Sequence, residues 1–172
     1  ANLPDGKVLL WSAYSKILSS RAGDPGGQTY VGFFDPSSGT AEIELVTETN
    51  HDMFCPGTSV LANGVIMITG GTNLKKVSFF DPATGSWTAG TELNVARGYH
   101  SNTVLGDGSV LALGGSWSPK KSGTPVGTLG GKDGEVWTPS SGSWKTMTGI
   151  PAEPLITQDR DGIYRADNHY WL

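Results

Sequence analysis

The chain has 172 residues, 25 of them glycine and 10 proline, with 16 % charged side chains and a net charge of −4. That length holds one ordinary domain with a core. The lack of a basic stripe or lysine cluster argues against nucleic acid as the partner, and no apolar run approaches the roughly 20 residues of a membrane span.

The first element is a turn at Asp5-Gly6 followed by the apolar run Lys7–Ala13 (KVLLWSA). Asp-Gly and Asn-Gly are the dipeptides of tight hairpin turns. A Gly/Ser/Pro-rich insertion, residues 14–29, separates this run from FFDPSSGTAEI at 33–43, which reads as strand, Pro-Gly turn, strand. Next comes HDMFCPG at 51–57, holding the only cysteine, Cys55. Asn63-Gly64 then precedes VIMITGG, and FFDPATGSWTA follows at 79–89. VARGYHS at 95–101 leads to Asp107-Gly108, SVLALGG and a second insertion at 118–133. VWTPSSGSWKT at 136–146 is the third copy of the strand-turn-strand signature. A fourth turn, Asp161-Gly162, opens IYRADNHYW.

The pairs Gly70-Gly71 and Gly114-Gly115 lie 44 residues apart, as do the turns at Asn63 and Asp107. Helical periodicity is absent. A period of about 45 residues with short strands and a Gly-Gly pair is the pattern of a kelch-type β-propeller blade. The expected class is therefore all-β: about three blades plus part of a fourth, in one partial propeller domain covering residues 1–172. Propellers close with 4–8 blades. The chain is thus expected to be a piece of a longer propeller, needing the remaining blades, or to pair with another chain. Ala1 leads directly into the first turn with no signal-like segment, and one cysteine decides no redox compartment.

The repeat supplies a register. Cys55 lies eight residues before the turn at Asn63, and Tyr99 eight before the turn at Asp107. They occupy equivalent positions in consecutive blades, hence side by side around the axis. Trp117, ten residues after Asp107, folds back to the same rim. Each alone is ordinary propeller filling; the three together point to a site. Arg165 breaks the apolar pattern, because the parallel positions are Met67 and Leu111. It needs either an ion pair, with Asp161 or Asp167, or an opening to water.

HDMFCPG, VARGYHS, GGSW and GIYRADNHYWL, in this order and spacing, resemble the galactose oxidase family of fungal copper radical oxidases. The resemblance implies a seven-bladed kelch propeller, of which this chain is the front part of the catalytic domain. It implies that Cys55 is joined to the Tyr99 ring by a thioether. Tyr99 then binds Cu(II) and carries a tyrosyl radical, with Trp117 stacked over the bond. Phe54 lines the substrate pocket, Arg165 hydrogen-bonds substrate hydroxyls, and Tyr164 and His169 support the site from nearby. The remaining copper ligands belong to later blades. His51 is expected to be a supporting or structural residue, not a ligand, and His100 stands where the family commonly has glutamine.

The implied activity oxidises the primary alcohol of galactose or a related substrate to an aldehyde, with O₂ reduced to hydrogen peroxide. The implied setting is extracellular. Aryl or alkyl alcohol oxidase and glyoxal oxidase are the near alternatives within the family. A non-catalytic kelch module binding protein or carbohydrate is the distant one, and it has no need of the Cys55/Tyr99 pair. This chain alone is expected to be inactive, since it offers one tyrosinate where Cu(II) takes several N and O ligands.

Overall fold

Asp5-Gly6, Asn63-Gly64 and Asp107-Gly108 close their hairpins by one chemistry. The side-chain oxygen of Asp5, Asn63 or Asp107 accepts the N–H two residues on, at 3.1, 3.2 and 3.0 Å. The glycine N–H reaches the carbonyl three residues back: Gly6 to Leu3, Gly64 to Leu61, Gly108 to Leu105. Only the glycine of each pair has positive φ, at 87°, 84° and 82°. The turns are therefore three-residue connections with the glycine in a bulge.

The computed structural model describes residues 1–12, 27–115 and 133–150. Among them the strands are β1 (Val8–Trp11), β2 (Thr29–Asp35), β3 (Thr40–Val46), β4 (Gly57–Val60), β5 (Ile66–Thr69) and β6 (Val77–Asp81). β7 (Ser86–Ala89), β8 (Ser101–Val104), β9 (Val110–Leu113), β10 (Glu135–Thr138) and β11 (Ser143–Thr146) complete them. They form three antiparallel sheets: β1-β2-β3, β4-β5-β6-β7 and β8-β9-β10-β11. No helix occurs among the described residues, so none is long and apolar enough to cross a membrane. The first sheet also carries Ala1–Leu3 along β1, through a bridge from Asn2 to Val8 and the bond from Leu9 N–H to Ala1 O. Those residues occupy the place that β4 holds in the second sheet.

The outer hairpins follow from the strand-turn-strand signature. Gly39, Gly85 and Gly142 have φ of 70°, 68° and 62° and donate to the carbonyls of Asp35, Asp81 and Thr138. Asp35 and Asp81 also accept from the N–H two residues on, the local bond that favours a turn over continued strand.

The sheets pack face to face as blades. Ile66 and Ile68 on β5 join Leu9, Val31, Met53 and Phe80 between the first two sheets. Met67, pointing the other way, joins Val77, Val110 and Trp137 between the second and third. Both faces of the middle sheet are covered, so β5 is buried at every position and its first three residues, Ile66 to Ile68, are all apolar rather than alternating. Aromatic pairs bridge both seams, Phe33 to Phe80 at 5.5 Å and Phe79 to Trp137 at 5.8 Å. The tryptophans of β7 and β11, Trp87 and Trp144, reach back to the preceding unit. Trp87 Nε1 donates to Glu44 Oε1 and Trp144 Nε1 to Thr91 O. The outward side of the first sheet meets no further sheet among the described residues, and Leu10 and Ile43 are exposed there.

Candidate functional site

Cys55 and Tyr99 each stand at the end of an inter-blade connection, two residues before the inner strands β4 and β8. Those two strands touch. The Tyr99 N–H donates to the Cys55 carbonyl at 2.9 Å. Both residues have positive φ, 59° and 55°, a conformation that costs a residue bearing a Cβ about 1–2 kcal/mol. Strain of this kind at matched positions persists only where the surroundings over-determine it, and it concentrates at functional sites. The register arithmetic thus holds at the main chain: the two residues lie side by side. Cys55 and Phe54 are half-buried and Tyr99 is 40 % exposed. A groove of about 400 Å³ runs along β4 and β8 from Pro56 and His100, the residues that follow them.

Gly70 and Gly71 explain how two connections come so close. Gly71 N–H donates to Arg97 O at 2.9 Å, and Thr72 N–H to Phe54 O at 3.0 Å. The glycine corner therefore binds the connection carrying Cys55 on one side and that carrying Tyr99 on the other. A Cβ on Gly71 would lie 2.5 Å from Phe54 O, and one on Gly70 would collide with Arg97 O. Both also have positive φ, 63° for Gly70 and 96° for Gly71. Gly115 repeats the arrangement, with Gly98 O 2.7 Å from its missing Cβ.

The Cys55 connection is pinned by hydrogen bonds of His51, Thr29 and Asp52. His51 Nε2 lies 2.6 Å from Gly70 O and Nδ1 lies 2.8 Å from Ser78 Oγ. A carbonyl only accepts, so Nε2 carries the proton and Nδ1 accepts from the serine. Burial pushes this imidazole down to about 4, so it is neutral at neutral pH. His51 is thus structural, as the sequence reading expects. Thr29 Oγ1 donates to His51 O and accepts from Met53 N–H. Asp52 Oδ1 accepts from Phe54 N–H at 3.1 Å.

The Tyr99 connection is pinned by charge. Arg97 and Glu135 are both fully buried, with Nε 3.0 Å from Oε1. Arg97 also donates to Gly114 O at 2.9 Å and to Asp133 O. Glu135 in turn accepts the N–H groups of Asn94 and Val95. On the other side of Tyr99, His100 Nε2 lies 2.8 Å from Thr69 Oγ1, which also accepts from Asn102 Nδ2. Sequence reasoning passed over Arg97 and Glu135. The signal that would have found Arg97 is the repeat itself, which aligns it with the apolar Met53.

Trp117, Tyr164, Arg165 and His169 lie outside the described residues. No group of three or more His, Cys, Asp or Glu side chains able to hold a metal ion occurs among the described residues. The donor set in hand is one half-exposed tyrosine, which fits a single coordination position and no complete metal site.

Galactose oxidase of Gibberella zeae is 44 % identical over 167 residues, covering 97 % of this chain and 23 % of that protein. A second galactose oxidase from Gibberella zeae matches with the same figures. The chain belongs to the galactose oxidase/copper radical oxidase family. It also superposes on a solved structure of a novel fungal alcohol oxidase with catalytic diversity among the AA5 family, in complex with copper. There the TM-score is 0.78 at 31 % identity, over 98 % of this chain and 33 % of that one. No family model matches. The chain therefore spans about a quarter of the length of the galactose oxidases it matches. Within this family, three successive blades with Cys55 and Tyr99 at one inter-blade rim are what the described residues supply.

Proposed function

We propose that residues 1–172 are part of the catalytic propeller of a secreted, copper-dependent alcohol oxidase that needs further blades for its site. The observation that carries this reading is the contact between Cys55 and Tyr99, both in a strained left-handed conformation and joined by a main-chain hydrogen bond. A kelch module that only binds has no use for a thiol and a half-exposed phenol held in that way. The similarity to two galactose oxidases and to a copper-bound alcohol oxidase gives the reaction class.

In this reading the Tyr99 phenolate is one ligand of a copper ion whose other ligands come from elsewhere in the protein. A copper ion held there would supply a one-electron couple and Lewis acidity toward the alcohol oxygen. Oxidising a primary alcohol to an aldehyde removes two electrons and two protons, which reduce O₂ to hydrogen peroxide. Tyr99, cross-linked to Cys55, supplies the second oxidising equivalent as a radical. Thioether sulfur and a stacked Trp117 indole spread and shield the unpaired spin. Phe54 forms an apolar wall for the substrate carbon chain. Arg165 donates hydrogen bonds to ring hydroxyls, which favours galactose or a related sugar over a simple alcohol. Tyr164 and His169 support the site from nearby.

The test is peroxide release by the copper-loaded full-length protein on galactose and on a simple aliphatic alcohol. Tyr99→Phe should abolish turnover on both. Arg165→Ala should raise KM for galactose strongly and disturb the aliphatic alcohol much less. Absence of peroxide with every primary alcohol, including aryl alcohols, overturns the reading.

A further inference from the structure

Arg97 is fully buried and charged at a repeat position where the preceding blade has Met53. Its partner is displaced in the same way. Ser78 pairs with Ile68 across the second sheet, and Glu135 pairs with Ala112, 44 residues further on, across the third. Glu135 thus stands where the earlier blade has a serine. An apolar pair would serve a core at least as well, because desolvating two charges offsets much of their attraction. What the guanidinium adds is direction. Its planar fork fixes several bonds at once, here to Glu135, Gly114 O and Asp133 O. All three lie in the third blade.

The main chain of Arg97 is held by the second blade instead. Its N–H donates to Leu74 O at 2.8 Å and its carbonyl accepts from Gly71 N–H at 2.9 Å. The residue is a tie between blades, and two positions later Tyr99 donates to Cys55 O. In the second blade the same register carries no such tie: Met53 enters the apolar cluster, and neutral Thr29, His51 and Ser78 hold the segment.

We propose that Arg97 is a positioning residue which, through its ion pair with Glu135, holds Tyr99 against Cys55 and so sets the rate at which the two cross-link. Only the cross-linking rests on the copper-oxidase reading; the positioning does not. The cross-link forms one bond from Cys55 sulfur to a Tyr99 ring carbon. The thiol hydrogen and one ring hydrogen leave as two protons and two electrons, which dioxygen takes up as hydrogen peroxide.

The experiment uses the full-length protein and two readouts. The first is amide hydrogen exchange of the copper-free protein, following the peptide that contains the Tyr99 N–H. The second is the rate of the two-hydrogen mass loss after copper and air are added. In Arg97→Met, which copies the residue of the preceding blade, protection at Tyr99 should fall at least about tenfold further than protection in β9, β10 and β11, which follows only the global loss of stability. The mass loss should slow in parallel, and Arg97→Lys should recover part of both. Glu135→Gln, which keeps the size of the side chain, should act like Arg97→Met and serves if that variant does not fold. Wild-type protection at Tyr99 in the variants overturns the proposal, as does an equal loss across the whole third sheet. If protection falls locally but the wild-type protein never loses two hydrogens, the positioning role stands and the oxidase reading fails.

Discussion

Tyr99 N–H and Cys55 O meet at 2.9 Å across the boundary between the second and third blades. The bond joins two residues that are equivalent in the repeat and equally left-handed. Neither conformation is favourable for a side chain, so each connection bends there only because the glycine corner and the buried polar groups leave it no other course. The bend brings the two residues side by side at the main chain.

A first expectation concerns the cysteine itself. In the copper-loaded full-length protein, intact-mass measurement should find two hydrogens fewer than the sequence requires, and neither Cys55→Ala nor Cys55→Gly should show that deficit. The two variants should differ in stability. Glycine relieves the left-handed strain and should exceed alanine by about 1 kcal/mol in denaturant unfolding. Equal midpoints would mean that the backbone at 55 is not strained.

Gly71→Ala adds a methyl group 2.5 Å from Phe54 O at a φ of 96°. Gly64→Ala adds one at 84° into open space. The second change should cost about 1–2 kcal/mol of backbone strain alone. The first should cost clearly more and should lower the yield of the cross-link, because Phe54 must move and Cys55 moves with it. Thermal melts together with intact mass check both parts; similar costs at the two glycines would contradict the clamp.

The Arg97–Glu135 pair should be costly to break and only partly replaceable. Removing one partner of a buried pair strands the other, at about 3–5 kcal/mol. Glu135→Leu should therefore be strongly destabilising. The double change Arg97→Met with Glu135→Leu should recover a part of that loss. It should not recover all, because the amides of Asn94 and Val95 also lose their acceptor. Denaturant unfolding of the four proteins in a double-mutant cycle measures the coupling.

His51 makes stability depend on pH in a defined direction. Burial lowers its pKa from the ordinary 6.5 to about 4. Between those values the unfolded state holds a proton that the folded state does not. Its contribution is therefore complete above about pH 6.5 and shrinks as the pH falls toward 4. His51→Gln should flatten that slope in the unfolding midpoint. The decline at lower pH should remain, since Asp35 and Asp107, held low by hydrogen bonds from Ser37 and Ser109, still titrate there. An unchanged slope between pH 6.5 and 4 would remove His51 as its source.

What the sequence alone determined is local or periodic. Asp5, Asn63 and Asp107 announce their turns because the bond that makes each turn spans only two residues. The 44-residue offset aligns Cys55 with Tyr99, and equal registers in adjacent blades bring them together whatever the intervening chain does. The dipeptides leave the turn length open, since the bulge at the glycine is set by the strands on either side. The tertiary structure decided what depends on two blades meeting. Gly70-Gly71 reads as a family signature in the sequence, but its work is to let Phe54 O and Arg97 O approach from opposite sides. Arg97 and Glu135 are 38 residues apart, with the second insertion between them, and no local rule pairs them. The left-handed turns at Cys55 and Tyr99 were equally invisible, because each is a strained state that its own residue type disfavours. Only contacts from the neighbouring blade hold it, and those contacts exist nowhere but in the folded assembly of sheets.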